Sequence, residues 1–398
     1  MKTTKTTLSR RTLLSLAGTV VAAGAATPWR RSAFAAEPLK LGASLSLTGR
    51  FSDSAKYVKE GYDLWADQVN GKGGIAGRPV DIVVYDDESN PDTGRVLAER
   101  LIDRDGVLAI LGPYSSPITD AMATATERAQ VPMVGTIASD SSIWSRRKLH
   151  WSFQGFPSSD YDHEGFLKVL HGKGNGLKKL VIVFEEAPFS VAAKDWAVKT
   201  AKEMGLSVET YSYAPGGQDF RSILEHIVAF GAEAVSMGGY YQPSIALTRQ
   251  MIERGFNPVA YNFIQAADGV TKEALGANTE GVFGRSAWEA SVETPANKAF
   301  VAAYQAKFGR VPSYHSAAAY AAGQLYAAAI AAKGADRAGI RDFLASATPE
   351  TVLGKYQVNA TGQQEGYRYV AIQWQGGVSK VVGGASTAPI EWPKPKWQ

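Results

Sequence analysis

From residue 39 onward the chain alternates short apolar runs with longer amphipathic ones. Residues 39–47 predict a strand, and 54–70 a helix with Val58, Tyr62, Trp65 and Val69 on one face, the spacing of a 3.6-residue turn. A glycine-rich turn at 71–77 leads to a strand at 79–85, a helix at 92–104, a strand at 107–112, a helix at 117–130 and a strand at 131–135. After Trp151 the pattern resumes with a helix at 161–171, a strand at 180–184 and a helix at 191–205. It continues through 208–213, 220–231, 234–237, 244–254 and 259–263. Such alternation builds parallel sheets flanked by helices, because a parallel strand pair needs a long crossover. Two series predict an α/β protein of two doubly wound parallel-sheet lobes joined by hinge crossovers, with a boundary near 155–159.

The last third, 295–333 and 337–347, reads as two or three helices that return to the first lobe. The strand-like pieces at 366–374 and 379–382 would rejoin the second, and the tail 389–398 is proline-rich. The expected division is therefore 37–157 with 288–349 as one lobe and 158–287 with 350–398 as the other. Residues 315–333 are nearly all apolar, but Leu325 and Ile330 are their only large aliphatics. That composition predicts a helix packed through small side chains, since a spanning helix needs about 20 strongly apolar residues.

Charge changes the picture only at the N-terminus. The formal net charge is +4, yet residues 1–36 carry six of the 42 Lys and Arg and no acid, leaving 36 basic against 38 acidic residues, about −2. The basic excess thus belongs to a leader, and no nucleic-acid partner is expected. Ser9-Arg10-Arg11-Thr12-Leu13-Leu14 is a twin-arginine pattern, 13–26 an apolar stretch rich in Ala and Gly, and Ala33-Phe34-Ala35 a small-x-small cleavage site. A signal peptide cut near Ala35 or Ala36, and export to the periplasm, are expected; an uncleaved membrane anchor is the alternative. The chain has no Cys, which removes disulfides, thiol nucleophiles and thiolate metal sites.

Enzyme chemistry finds little support. His150, His163, His171, His226 and His315 share no metal-ligand spacing, and neither HExxH nor GxSxG occurs. No metal, cofactor or catalytic residue is expected, and each histidine is expected to be solvated or satisfied in the core. Gly71-Lys72-Gly73-Gly74-Ile75-Ala76 matches GxGxxA, but it follows a helix and precedes a strand, the reverse of the dinucleotide context.

Binding chemistry is better represented. Strand 107–112 ends in Gly112-Pro113-Tyr114-Ser115-Ser116-Pro117, where Ser116 is the expected cap of the next helix and its free N–H groups favour an anion. Ala138-Ser139-Asp140-Ser141 follows the neighbouring strand and would lie beside it, so the two loops could hold one carboxylate. In the second series, Tyr240 after Gly238-Gly239 could offer a ring face, and Asp268 an acid, to an ammonium group.

Taken together, Leu47-Thr48-Gly49, Gly71-Lys72-Gly73-Gly74-Ile75, Tyr85-Asp86-Asp87, Gly112-Pro113-Tyr114-Ser115-Ser116, Gln218-Asp219-Phe220, Gly238-Gly239-Tyr240 and the Trp374 region resemble the branched-chain amino acid (leucine/isoleucine/valine-type) periplasmic solute-binding proteins of ABC importers. The resemblance implies a type I bilobal fold that captures an amino acid between two lobes. Its ligand-binding set would be Phe51, Ser115, Ser116, Ala138, Ser139, Phe189, Tyr240 and Asp268. The first-lobe hydroxyls would hold the α-carboxylate, the rings would line the site, and Asp268 would meet the α-amino group. It further implies no catalysis, a monomer, a small-molecule ligand and an ABC permease of the inner membrane as partner. Two departures matter: Phe189 stands where tyrosine is frequent, and Asp268 stands where the longer glutamate is usual, one methylene further back. An aromatic acid or an amide remains a competitor for the ligand, and a ligand-loaded sensory subunit a competitor for the role.

Overall fold

The computed structural model describes residues 37–173, 176–383 and 388–398; the expected leader and its cleavage site lie outside the described residues. The first sheet is parallel, β2-β1-β3-β4-β5, from β1 (Leu39–Leu45), β2 (Val80–Asp86), β3 (Ala109–Leu111), β4 (Met133–Gly135) and β5 (Ser152–Gln154). Its connecting helices are α1 (Ser52–Gly71), α2 (Pro91–Asp103), α3 (Ser116–Ala129) and α4 (Ser142–Arg147). Strand β3 is wholly apolar and buried, and β1 is buried at every position but Lys40, as strands covered on both faces must be. The order reverses between β1 and β3, so a crevice opens beyond their carboxyl ends.

The second sheet repeats this plan. Strands β6 (Lys179–Glu185), β7 (Ser207–Tyr213), β8 (Ala234–Gly238), β9 (Ala260–Phe263) and β10 (Phe283–Ser286) run parallel in the order β10-β9-β8-β6-β7. Helices α5 (Glu164–Lys173), α6 (Pro188–Glu203), α7 (Arg221–Phe230), α8 (Tyr241–Arg254) and α9 (Gly269–Leu275) flank it. The C-terminal strands extend it antiparallel beyond β10, as detailed below. The switch point here lies between β6 and β8.

Next, α10 (Pro295–Phe308), α11 (Tyr314–Lys333) and α12 (Arg337–Ser346) pack on the first sheet's side. The small-residue helix behaves as expected: a Cβ on Gly61 of α1 would lie 2.3 Å from the Ser316 carbonyl of α11, and one on Gly323 would lie 2.2 Å from the Trp65 ring. Only hydrogen at those positions lets the two helices meet so closely. Among the described residues no helix is long and apolar enough to cross a membrane.

A short ribbon, β11 (Glu350–Thr351) with β12 (Gly354–Lys355), follows and was not expected. Then β13 (Val370–Gln375) pairs antiparallel with β10, and β14 (Val378–Val382) with β13. The helix expected at 161–171 is α5, which starts at Glu164; a 3₁₀ turn, Ser159–Tyr161, precedes it, with the Ser158 hydroxyl accepting from Asp160 N. The chain crosses between the sheets three times, at 155–163, 287–294 and 347–369.

Candidate functional site

The carboxyl ends of the two sheets face each other. In the first, Gly112 lets β3 end hard against β4: a Cβ there would lie 2.3 Å from the Val134 carbonyl. The chain then turns so that Ser115, in extended conformation, caps α3, while Ser116 is already its first residue. This corrects the expectation that Ser116 is the cap. Pro117 is tolerated there because the first turn's N–H groups have no helical partner.

Ser116 Oγ instead accepts from Ser139 N and Asp140 N, each at 3.2 Å, tying the loop after β3 to the loop after β4. Gln154 Nε2 donates to the carbonyls of Ala138 and Ser139, fixing the second loop from below. Ser115 Oγ is buried and has no hydrogen-bond partner.

From the second sheet come Phe189 at the start of α6, Tyr240 capping α8, Gln265 after β9 and Arg285 on β10. Helix α11 adds Tyr314 and His315 at its start. These groups, with Ser115, Ser116 and Ser139, line a cavity of about 20 Å3. The two sides are therefore closed on each other tightly.

Of the expected residues, Ser115, Ser116, Ser139, Phe189 and Tyr240 line this space. Phe51, Ala138 and Asp268 stand outside the lining. Phe51 packs behind it, its ring 4.5 Å from Tyr240 and 5.6 Å from Tyr114. Asp268 is fully buried, with Oδ2 2.9 Å from His315 Nδ1, so the histidine ring stands between this shorter acid and the cavity. His315 is buried and paired as expected of a core histidine, and its ring also lines the cavity. His163 fits that expectation in part: it is buried with Nδ1 2.8 Å from Ser236 Oγ and pushed down to about 3 by desolvation, but its Nε2 has no partner.

Sequence reasoning also missed Arg285, Gln265, Tyr114 and Tyr314 as site residues. Arg285 is almost fully buried, its Nε 2.5 Å from Asp162 Oδ1 and its guanidinium 4.2 Å from the Tyr369 ring centre. Burial pushes Asp162 up to about 6 against the pull of Arg285. Gln265 Nε2 donates to Tyr114 OH at 3.2 Å across the gap, which leaves Gln265 Oε1 without a partner. Tyr314 OH and Arg285 Nη1 are also buried and unpartnered. Burial raises Tyr114 to about 12 and Tyr314 well above its ordinary value, so both hydroxyls stay protonated.

At the rim, Arg50 Nη1 reaches Glu185 Oε1 across the gap at 3.1 Å and lies over the rings of Phe51 and Tyr240. Gln242 Nε2 donates to Asp53 Oδ2 at 3.2 Å nearby. Among the described residues no group of three or more His, Asp or Glu side chains is arranged to hold a metal ion.

Residues 38–378 match the family model described as periplasmic binding protein. The chain is 25% identical over 389 residues to the Leu/Ile/Val-binding protein homolog 7 of Brucella suis biovar 1 (strain 1330), covering 92% of this chain and 94% of that one. Among solved structures, the leucine binding protein LivK of Thermotoga maritima MSB8 superposes with a TM-score of 0.78 at 24% identity, over 86% of this chain and 97% of that one. A solute binding protein of an ABC transporter from R. palustris, in complex with benzoate, gives 0.79 at 20% identity, over 90% and 99%. Both structures share the two-sheet architecture described above.

Proposed function

The chain belongs to the periplasmic binding protein family, and from that premise we propose that it is the extracytoplasmic solute-binding component of an ABC importer. It captures an amino acid, branched-chain or related, between two lobes and delivers it to a membrane permease, without chemical turnover. The lobes are 37–157 with 288–349 and 158–287 with 350–398. The protein is exported through its twin-arginine leader and works in the periplasm as a monomer.

One observation carries this reading. Four buried polar atoms, Ser115 Oγ, Tyr314 OH, Gln265 Oε1 and Arg285 Nη1, lack partners, and their residues line one space from both sides of the gap. Buried polar groups are nearly always hydrogen-bonded, so four orphans at one place point to a ligand that satisfies them. The Leu/Ile/Val-binding name of the Brucella suis relative supports an amino acid as that ligand.

A specific feature favours an aromatic acid as the second reading. The rings of Phe51, Tyr114, Phe189 and Tyr240 form one cluster, and Asp268 is engaged by His315, which leaves no acid in the cavity lining. The benzoate complex of the R. palustris protein supports the same alternative.

Thermal-shift and calorimetric titration of the mature protein with leucine, isoleucine, valine and benzoate tests the reading. A ligand that binds only the folded form raises the melting temperature, by about 2.7 kcal/mol of added stability at a hundredfold excess over Kd. The bound compound should be recovered unchanged. No shift with any of the four overturns the proposal.

A further inference from the structure

We propose that Arg285 is the second-lobe anchor for the ligand's carboxylate, opposite Ser115, and that it makes the site select a carboxylate over the matching carboxamide. The inference rests on the receptor reading above and identifies the charged group that this site recognises.

The cavity offers an uneven set of unpartnered groups. Ser115 and Tyr314 supply hydroxyls from one side, each able to donate or to accept, Arg285 Nη1 supplies an N–H that only donates from the other, and Gln265 Oε1 only accepts. A carboxylate can accept from Arg285 Nη1 and from either hydroxyl. A carboxamide can meet the hydroxyls and Gln265 with its N–H groups, but it brings no charge to Arg285. Among the described residues the guanidinium is the one permanently charged cation in the lining, and its planar fork suits a carboxylate oxygen.

Its surroundings keep this side chain in place. Arg285 is held at Nε by Asp162 and sits 4.2 Å over the Tyr369 ring and 5.8 Å from that of Phe156. Asp162 lies in the first crossover, Arg285 just before the second and Tyr369 at the end of the third. With Nε in the ion pair with Asp162 and the guanidinium over the Tyr369 ring, the side chain is held from two sides, so a ligand oxygen must come to Nη1. A group at the meeting point of all three crossovers also makes anion binding dependent on how the two lobes are set against each other. Ser115 is on the first lobe, so a carboxylate touching both residues is held fully only when the lobes are closed.

The probes are two acid–amide pairs, leucine with leucinamide and benzoate with benzamide, titrated calorimetrically. Removing Arg285 alone would strand Asp162 as a buried, unpaired acid. The variant is therefore the neutral double replacement Asp162→Asn with Arg285→Gln, and Arg285→Lys is the second variant, which keeps the ion pair but loses the fork. In wild type the acid of at least one pair binds far more tightly than its amide. A charge-assisted hydrogen bond to a buried group corresponds to roughly tenfold to hundredfold in affinity, so the acid-to-amide ratio should shrink by about that factor in the double variant. Arg285→Lys should shrink it by a smaller factor.

An unchanged ratio in either folded variant, with wild-type acid binding intact, overturns the role of Arg285 and leaves the receptor reading standing. Failure of all four probes to bind wild type, with no response to isoleucine or valine either, overturns the receptor reading, and this inference with it.

Discussion

Ser115 and Ser116 are adjacent hydroxyls with opposite duties. Ser116 Oγ is spent inside the protein, receiving Ser139 N and Asp140 N, whereas Ser115 Oγ is buried with no partner. Replacing each by alanine should separate these duties. Ser115→Ala removes an unsatisfied polar atom, so the ligand-free melting temperature should hold or rise slightly, while Kd rises roughly tenfold through loss of one charge-assisted bond. Ser116→Ala strands two backbone amides at a cost of about 1–3 kcal/mol each. It should therefore lower the melting temperature and weaken binding together. Thermal melts paired with calorimetry on both variants check this; equal effects of the two changes would refute the division. The pair was visible in the sequence as hydroxyls before a proline, but which one capped the helix was not. That depended on how closely Gly112 let β3 approach β4, a tertiary fact.

At the level of elements, the alternation of strands with helices was legible down to the three-residue β3 and β4, while β5, β10 and the β11–β12 ribbon were not. Helix α1 carries Tyr62 and Trp65 inward over many turns, and β6 is a run of buried aliphatics, so periodicity and apolar runs identify both. Strands β5 and β10 are too short for any period to show, and Arg285 lies on β10. His315 begins α11, whose apolar composition drew attention to packing and away from its polar first turn. Tyr114 and Gln265 stood inside loops already singled out, beside the residues named; only their meeting across the gap was hidden. The second crossover carries a consequence of its own. Burial raises Glu289 from its ordinary 4.5 to about 7, with Lys272, Glu273 and Arg310 lining the same hollow. The folded protein then binds more protons than the unfolded chain between those two values, so this group's contribution to stability falls as pH rises from about 4.5 to about 7 and levels off above. Glu289→Gln stays neutral and should remove that slope. Its melting temperature relative to wild type should be lowest near pH 4.5 and highest at pH 8, and a difference that does not change with pH would show that Glu289 is solvated.

On the scale of the whole molecule, the enclosed space is too tight for a small-molecule ligand to pass in or out while the two sheets stay closed, so capture requires an open form. Among the described residues the polar and ring contacts that span the gap include Arg50 with Glu185, Gln242 with Asp53, Gln265 with Tyr114, Asp268 with His315, and the rings of Phe51 and Tyr240. Glu185 has no exposure in this closed arrangement, and burial already raises its pKa, with Arg50 the largest opposing influence. Without Arg50 the closed form would hold a buried carboxylate lacking its cation, whereas opening would return that carboxylate to water. The penalty therefore falls on closure and spares folding. Arg50→Ala should leave the ligand-free melting temperature nearly unchanged and raise the apparent Kd roughly tenfold, since affinity scales with the fraction of molecules able to close. Adding Glu185→Gln removes the stranded charge and should restore much of the loss. Small-angle scattering across a ligand titration would follow the same change as compaction, with Arg50→Ala needing more ligand to reach the compact radius and the double variant needing less. A melting temperature lowered in Arg50→Ala with Kd unaltered would instead make the pair a stabiliser of the fold, and closure would have to depend on the ring contacts and the ligand.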